Sequence, residues 1–145
     1  MDFRDTPEEA AFRAEVRAWL EANAQPRRSD ADRFDAGMSE DERIAAARAW
    51  QRRKAAAGYA AITWPKEWGG AGGSPMQQVI YNQEEARFLV PRQVFENSLG
   101  QCLPTVAMWA IPELKERHVP QGLRGDAIWC QLFSEPAAGS DTGGI

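Results

Sequence analysis

At 145 residues, with 43% hydrophobic and 26% charged residues, the chain has the balance of a soluble globular domain and enough length to bury a moderate core. A formal net charge of -4 argues against a nucleic-acid binder, whose affinity rests on a basic surface that displaces counterions from phosphates. Two distant cysteines, Cys102 and Cys130, with one histidine, His118, support neither a disulfide framework nor a metal cluster.

The N-terminus carries Asp2, Asp5, Glu8 and Glu9 rather than a basic targeting segment, and no apolar run reaches membrane-spanning length. A cytoplasmic, reducing location with no membrane span is expected. Thr6-Pro7-Glu8-Glu9 predicts a capped helix start, with Thr6 accepting an otherwise orphan amide and Glu9 completing a capping box. Phe12, Val16, Trp19 and Leu20 then share one face of a helix that ends near Asn23 and Pro26. The polar stretch from Pro26 to Gly37 predicts a loop. Ser39-Glu40-Asp41-Glu42 repeats the capping box before a helix containing Ile44, Ala47 and Trp50, which Gly58 is placed to end. On that helix Arg52-Arg53-Lys54 is expected to be a solvated face.

Between Ala60 and Gly73 the pattern changes to Ile62, Trp64, Pro65 and Trp68, followed by Gly69-Gly70-Ala71-Gly72-Gly73. The glycine run lacks the Gly-Lys-Ser/Thr ending of a phosphate loop and no strand precedes it, so a tight connection is the better reading, with the tryptophans as lids. Ser74-Pro75-Met76-Gln77 opens a third helix by the same devices, with Val79, Ile80, Phe88 and Leu89 supplying the expected buried stripe and Pro91 the end. Pro104 to Trp109 predicts a short, nearly all-apolar, buried helix. Pro112 starts another, which Pro120 is expected to interrupt before Gly125-Asp126 turns into a final strand. That strand feeds Ser134-Glu135-Pro136-Ala137-Ala138-Gly139-Ser140-Asp141, a loop in which backbone amides can approach an anion closely.

The stretch from Trp129 to Asp141 resembles the aromatic-Cys-x-x-x-Ser/Thr-Glu-Pro-x-Ala-Gly-Ser-Asp signature of the acyl-CoA dehydrogenases. Gly58-Tyr59, Trp64-Pro65-Lys66-Glu67-Trp68-Gly69-Gly70, Asn97-Ser98-Leu99-Gly100 and Leu114-Lys115-Glu116-Arg117 match that family in the same order. The resemblance covers essentially the whole chain but only about the first third of a family member. It implies a mainly α fold, with residues 1–126 forming the N-terminal helical bundle and residues 127–145 the truncated start of the middle β domain. It also implies FAD as cofactor, contacted by Gln131, Leu132, Phe133, Ser134, Gly139 and Ser140. An acyl-CoA substrate is implied near Ser140, with Leu99 and Val94 on the acyl-chain tunnel.

An electron-transfer flavoprotein and a homo-oligomeric assembly are the partners implied for a full-length member. The family's base is a glutamate for which this chain has no match, so no catalytic residue is assigned and the chain alone is expected not to turn over. An acyl-CoA oxidase relative and a non-catalytic helical interaction module are the alternatives. The last five residues, Asp141 to Ile145, depart from the family pattern.

Overall fold

A computed structural model describes residues 4–132 together with 134, 136 and 139. Its regular elements are helix α1 (Pro7–Asn23), strand β1 (Gln25–Pro26), helix α2 (Glu40–Ala56), helix α3 (Pro75–Glu85), strand β2 (Phe88–Leu89), helix α4 (Leu103–Trp109) and helix α5 (Pro112–Leu123). A 3-10 turn covers Lys66–Trp68, and a π-helical turn covers Ser98–Cys102 immediately before α4. None of these helices is long and apolar enough to cross a membrane.

All three anticipated capping boxes form: Thr6 with Glu9, Ser39 with Glu42 and Ser74 with Gln77 each exchange the reciprocal pair of hydrogen bonds. Each satisfies two amides that a helix start otherwise leaves orphaned. Gly58, at φ +80°, takes the left-handed conformation that closes the end of α2.

α1 and α3 pack side by side, and their shared core is aromatic. Val16 and Leu20 of α1, Trp50 of α2 and Tyr81 of α3 are buried together with Tyr59, Ile62, Phe88 and Val90. Tyr59 stacks on Tyr81 at 5.1 Å and takes the edge of Trp19 at 5.0 Å. Above this layer, Glu84 of α3 is only 2% exposed and receives Arg13 and Arg17 from α1 and Arg87 from beyond the helix. Ala61, Ala107, Val119 and Leu123 form a second, smaller cluster that joins α4 to α5. There Gly122 of α5 sits against Leu103 of α4, and a Cβ at that position would lie 2.2 Å from Leu103 Cδ1, so only glycine permits this approach.

Several expectations are corrected. α3 stops at Glu85, and Phe88–Leu89 leave it to pair antiparallel with Gln25–Pro26, Gln25 opposite Leu89. The chain must be extended there because Val90 precedes a proline, and the extended register is what puts Phe88 into the core. Val79 is 45% exposed; Ile80, Tyr81 and Glu84 are the buried residues of α3. α5 runs through Pro120, which lies on its exposed side, where water can meet the carbonyl left without a donor.

α4 buries only Leu103 and Ala107, four residues apart on one face, and leaves Met108 and Trp109 exposed. Of Arg52-Arg53-Lys54, the first two are exposed as expected, Arg52 pairing with Asp126 and Arg53 donating to the Asn23 carbonyl, whereas the Lys54 side chain is only 18% exposed beside Glu85. The final strand does not form: residues 127–132 carry no regular structure. With no neighbouring strand among the described residues, the backbone there is held by side chains instead.

Candidate functional site

The five amides of the glycine run are all used within the connection. Gly69 donates to Lys66, Gly70 to Pro65, Ala71 to Ala61, Gly72 to Trp64 and Gly73 to Ile62, every acceptor being a backbone carbonyl. No donor of this loop is left to cradle a phosphate, which disposes of that reading on geometry. Trp64 and Trp68 meet edge to face at 6.3 Å and pack on the α4–α5 cluster, so they are part of the wall rather than lids.

Two features carry the residues that the family resemblance singles out. The first is a cleft of about 560 Å³ between α2, α3 and the segment 91–100. Val94 and Leu99 both line it, so the two residues expected on an acyl tunnel do lie in one cavity. Its volume is in the range of about 300–1,000 Å³ in which small molecules are held. The wall is not uniformly apolar, because Lys54, Tyr81 and Glu85 also face it. Glu85 Oε1 accepts from Tyr81 Oη at 2.9 Å and from Trp50 Nε1 at 3.2 Å, with Lys54 Nζ 3.9 Å away. Burial pushes the Lys54 ammonium below its usual lysine value, and Glu85 opposes that shift. Burial likewise pushes Tyr59 up to about 12, aided by Glu15, so the phenols of the cleft stay protonated at neutral pH.

The second feature is the segment after Gly125. Arg48 of α2 donates to the carbonyls of Gly125 and Asp126 at 2.7 and 2.6 Å, and Gln51 donates to that of Leu123 at 2.8 Å. These donors satisfy carbonyls at the end of α5 that no helical amide reaches. Beyond them, fully buried Ser98 clamps Trp129 from both sides: its Oγ accepts the Trp129 amide at 2.7 Å and donates to the Trp129 carbonyl at 3.3 Å. Cys102 Sγ reaches the Cys130 carbonyl at 3.8 Å, and the Gln131 side-chain amide donates to Gln101. His118 meets the Trp129 ring edge to face at 5.3 Å.

The π-helical turn is the joint between the two features. Pro104 has no amide to offer, and the Leu103 amide reaches back five residues to the Ser98 carbonyl instead of four. The wider turn puts Ser98 against the Trp129 segment and its neighbour Leu99 in the cleft wall. Asn97-Ser98-Leu99-Gly100 matches the family as a block, and no local pattern assigns Ser98 a role of its own. A serine one residue before the tunnel leucine, followed by Gly100 and Pro104, is the available signal.

Of the residues expected to hold a flavin, Gln131 is tied to Gln101, Leu132 is 88% exposed, and Ser134 and Gly139 are exposed near one another, a Cβ on Gly139 lying 4.0 Å from Ser134 Oγ. Phe133 and Ser140 lie outside the described residues. The chemistry of the described ones is compatible with that group: Leu132 offers an exposed apolar side chain and Ser134 a hydroxyl near a glycine.

The sequence profile described as "Acyl-CoA dehydrogenase, N-terminal domain" matches residues 6–126, which is nearly all of the helical part. The chain belongs to the acyl-CoA dehydrogenase family. Acyl-CoA dehydrogenase IpdE1 of Mycobacterium tuberculosis is 36% identical over 136 residues, covering 92% of this chain and 35% of that protein. The IpdE1 of Mycolicibacterium smegmatis is 38% identical over 136 residues, covering 92% and 34% respectively. Among solved structures, the ChsE4-ChsE5 complex from Mycobacterium tuberculosis superposes with a TM-score of 0.66 at 27% identity, covering 100% of this chain and 35% of that one. The chain thus spans about a third of the length of these acyl-CoA dehydrogenases. FAD-dependent dehydrogenation is the general activity of the family.

Proposed function

We propose that this chain is the helical wall of an acyl-CoA dehydrogenase site, taking part in the FAD-dependent α,β-dehydrogenation of an acyl-CoA thioester. The observation that carries the reading is the Ser98–Leu99 joint, which ties the signature segment to the cleft so that a ligand end and a cofactor end share one rigid turn. Bound FAD supplies the hydride acceptor. Leu132, Ser134 and Gly139, with Gln131 as their fixed root and Phe133 and Ser140 continuing the same signature, bind and orient it. Val94 and Leu99 remove acyl methylenes from water at about 0.8 kcal/mol each.

The base comes from outside these residues. Glu84 cannot serve, because Arg17, Arg13 and Arg87 hold its carboxyl down at about 2, far below a base working near neutrality. Glu85 spends its Oε1 on Tyr81 and Trp50, and none of the described signature residues lines the cleft it faces. The electron acceptor in this reading is an electron-transfer flavoprotein.

Exposed apolar residues at the α4–α5 corner, Met108, Trp109, Ile111 and Leu114, favour contact with further polypeptide of the same enzyme or a companion subunit. The same patch is what a non-catalytic interaction module would carry. The test is an electron-transfer assay on the purified 145-residue chain with FAD, octanoyl-CoA and a redox dye. No dye reduction above the protein-free rate is expected, and turnover by the chain alone would overturn the assignment of the base elsewhere.

A further inference from the structure

The cleft carries a polar pair that an ordinary acyl tunnel has no use for. Lys54 Nζ has a single charged neighbour, Glu85 Oε1 at 3.9 Å, which is beyond hydrogen-bond reach, and no described residue accepts a bond from it. On Glu85 both donors, Tyr81 and Trp50, converge on Oε1, while Oε2 takes no bond from any described residue. Both side chains are less than a fifth exposed, at 18% and 17%, and both face the cavity that Val94 and Leu99 line. Neither Lys54 Nζ nor Glu85 Oε2 is among the described side-chain atoms sealed from solvent without a partner, so water meets both in the cleft, and a ligand that displaces this water must replace its hydrogen bonds.

The charges constrain what that something is. The pair is neutral as a whole, so an anionic group attracted to Lys54 meets Glu85 at nearly the same distance, and a cation meets the reverse. A purely apolar chain leaves both groups unsatisfied and strips water from them. A hydroxyl does both through a single atom, accepting from the ammonium and donating to the carboxylate, which suits two groups only 3.9 Å apart better than the separate donor and acceptor of an amide. Tyr81 Oη cannot supply it, since its proton is already given to Glu85 Oε1. The other charged groups of the wall, Arg92 and Glu96, are exposed at the mouth and balance one another.

We propose that this cleft selects an acyl group bearing a hydroxyl on its distal part, which bridges Lys54 Nζ and Glu85 Oε2 while the methylenes lie along Val94 and Leu99. The proposal rests on the acyl-CoA reading above and names the substrate class for that same site. Lys54 and Glu85 are specificity residues in it, remote from the reacting carbons.

Calorimetric titration of the 145-residue chain with octanoyl-CoA, ω-hydroxyoctanoyl-CoA and free ω-hydroxyoctanoate tests it, using wild type, Lys54→Met and Glu85→Gln, with helix content by circular dichroism confirming that each variant folds. The hydroxylated thioester is expected to bind about tenfold tighter than octanoyl-CoA, the worth of one charge-assisted hydrogen bond. Either substitution is expected to collapse that ratio towards one. Octanoyl-CoA binding as tightly as its hydroxylated analogue, or a preference that survives both substitutions, overturns the proposal and leaves the acyl-CoA reading standing. If neither thioester binds but free ω-hydroxyoctanoate does so in a Lys54-dependent way, the acyl-CoA reading fails and the hydroxyl site stands. Binding of none of the three ligands overturns both.

Discussion

Glu84 shows how one side chain can fix the relation of two helices. Its carboxylate is nearly inaccessible and accepts from Arg13, Arg17 and Arg87, so both oxygens are met by cations. Removing the charge leaves Arg13 half-buried with Asp5 as its remaining carboxylate, whereas the more exposed Arg17 and Arg87 can turn to water. Glu84→Gln is therefore expected to destabilise the fold by about 2 kcal/mol in urea denaturation, less than the ~3–5 kcal/mol of a wholly buried pair. The pH dependence has a definite sign. Glu84 is held at about 2 in the folded state, against roughly 4.3 for an ordinary glutamate. Its contribution is full above the unfolded value and drains away as pH falls from about 5 towards 2, so the wild-type urea midpoint should drop across that window and the Gln variant should flatten the drop. Arg87 is three residues from Glu84, but Arg17 and Arg13 lie 67 and 71 residues away along the chain, a pairing no local pattern reveals.

At the scale of elements, legibility followed how local the cause was. Capping boxes are settled within four residues, and all three appear as the sequence predicts. Where the deciding contact is distant, local reasoning goes astray. Phe88–Leu89 continue an apolar stripe in the sequence, yet their partner strand sits at Gln25–Pro26. Trp109 belongs to an apolar helix, yet the face that α4 buries is set by Leu103 and Ala107 meeting α5. The π-helical turn is of the second kind, since its value lies in what Ser98 holds. Ser98→Ala is expected to cost about 1–2 kcal/mol, the range for leaving a half-buried amide unmet. The loss should be local: amide exchange at Trp129 and Cys130 should accelerate while α1 and α3 keep their protection. Uniform acceleration across the helices would show that Ser98 supports the core rather than the segment.

For the whole molecule, the candidate site was legible only through resemblance. Spacing alone gave a strand and a glycine loop after Trp129, and the structure holds that stretch by side chains rather than by a sheet. Val94 and Leu99 could not be joined by sequence arithmetic, yet they share one cavity. Lys54, read from the sequence as a solvated charge, proves to face that cavity, because α2 presents Trp50 and Lys54 one turn apart on the side that meets α3. The central claim is that these residues form a working wall of a flavin-dependent acyl-CoA site. Its most direct test is a chimera in which this chain replaces the matching third of the IpdE1 of Mycolicibacterium smegmatis, with FAD content measured per folded protein. The account predicts a yellow chimera holding FAD at the parent's stoichiometry and losing it when Ser98 is changed to alanine. A folded, colourless chimera would contradict it.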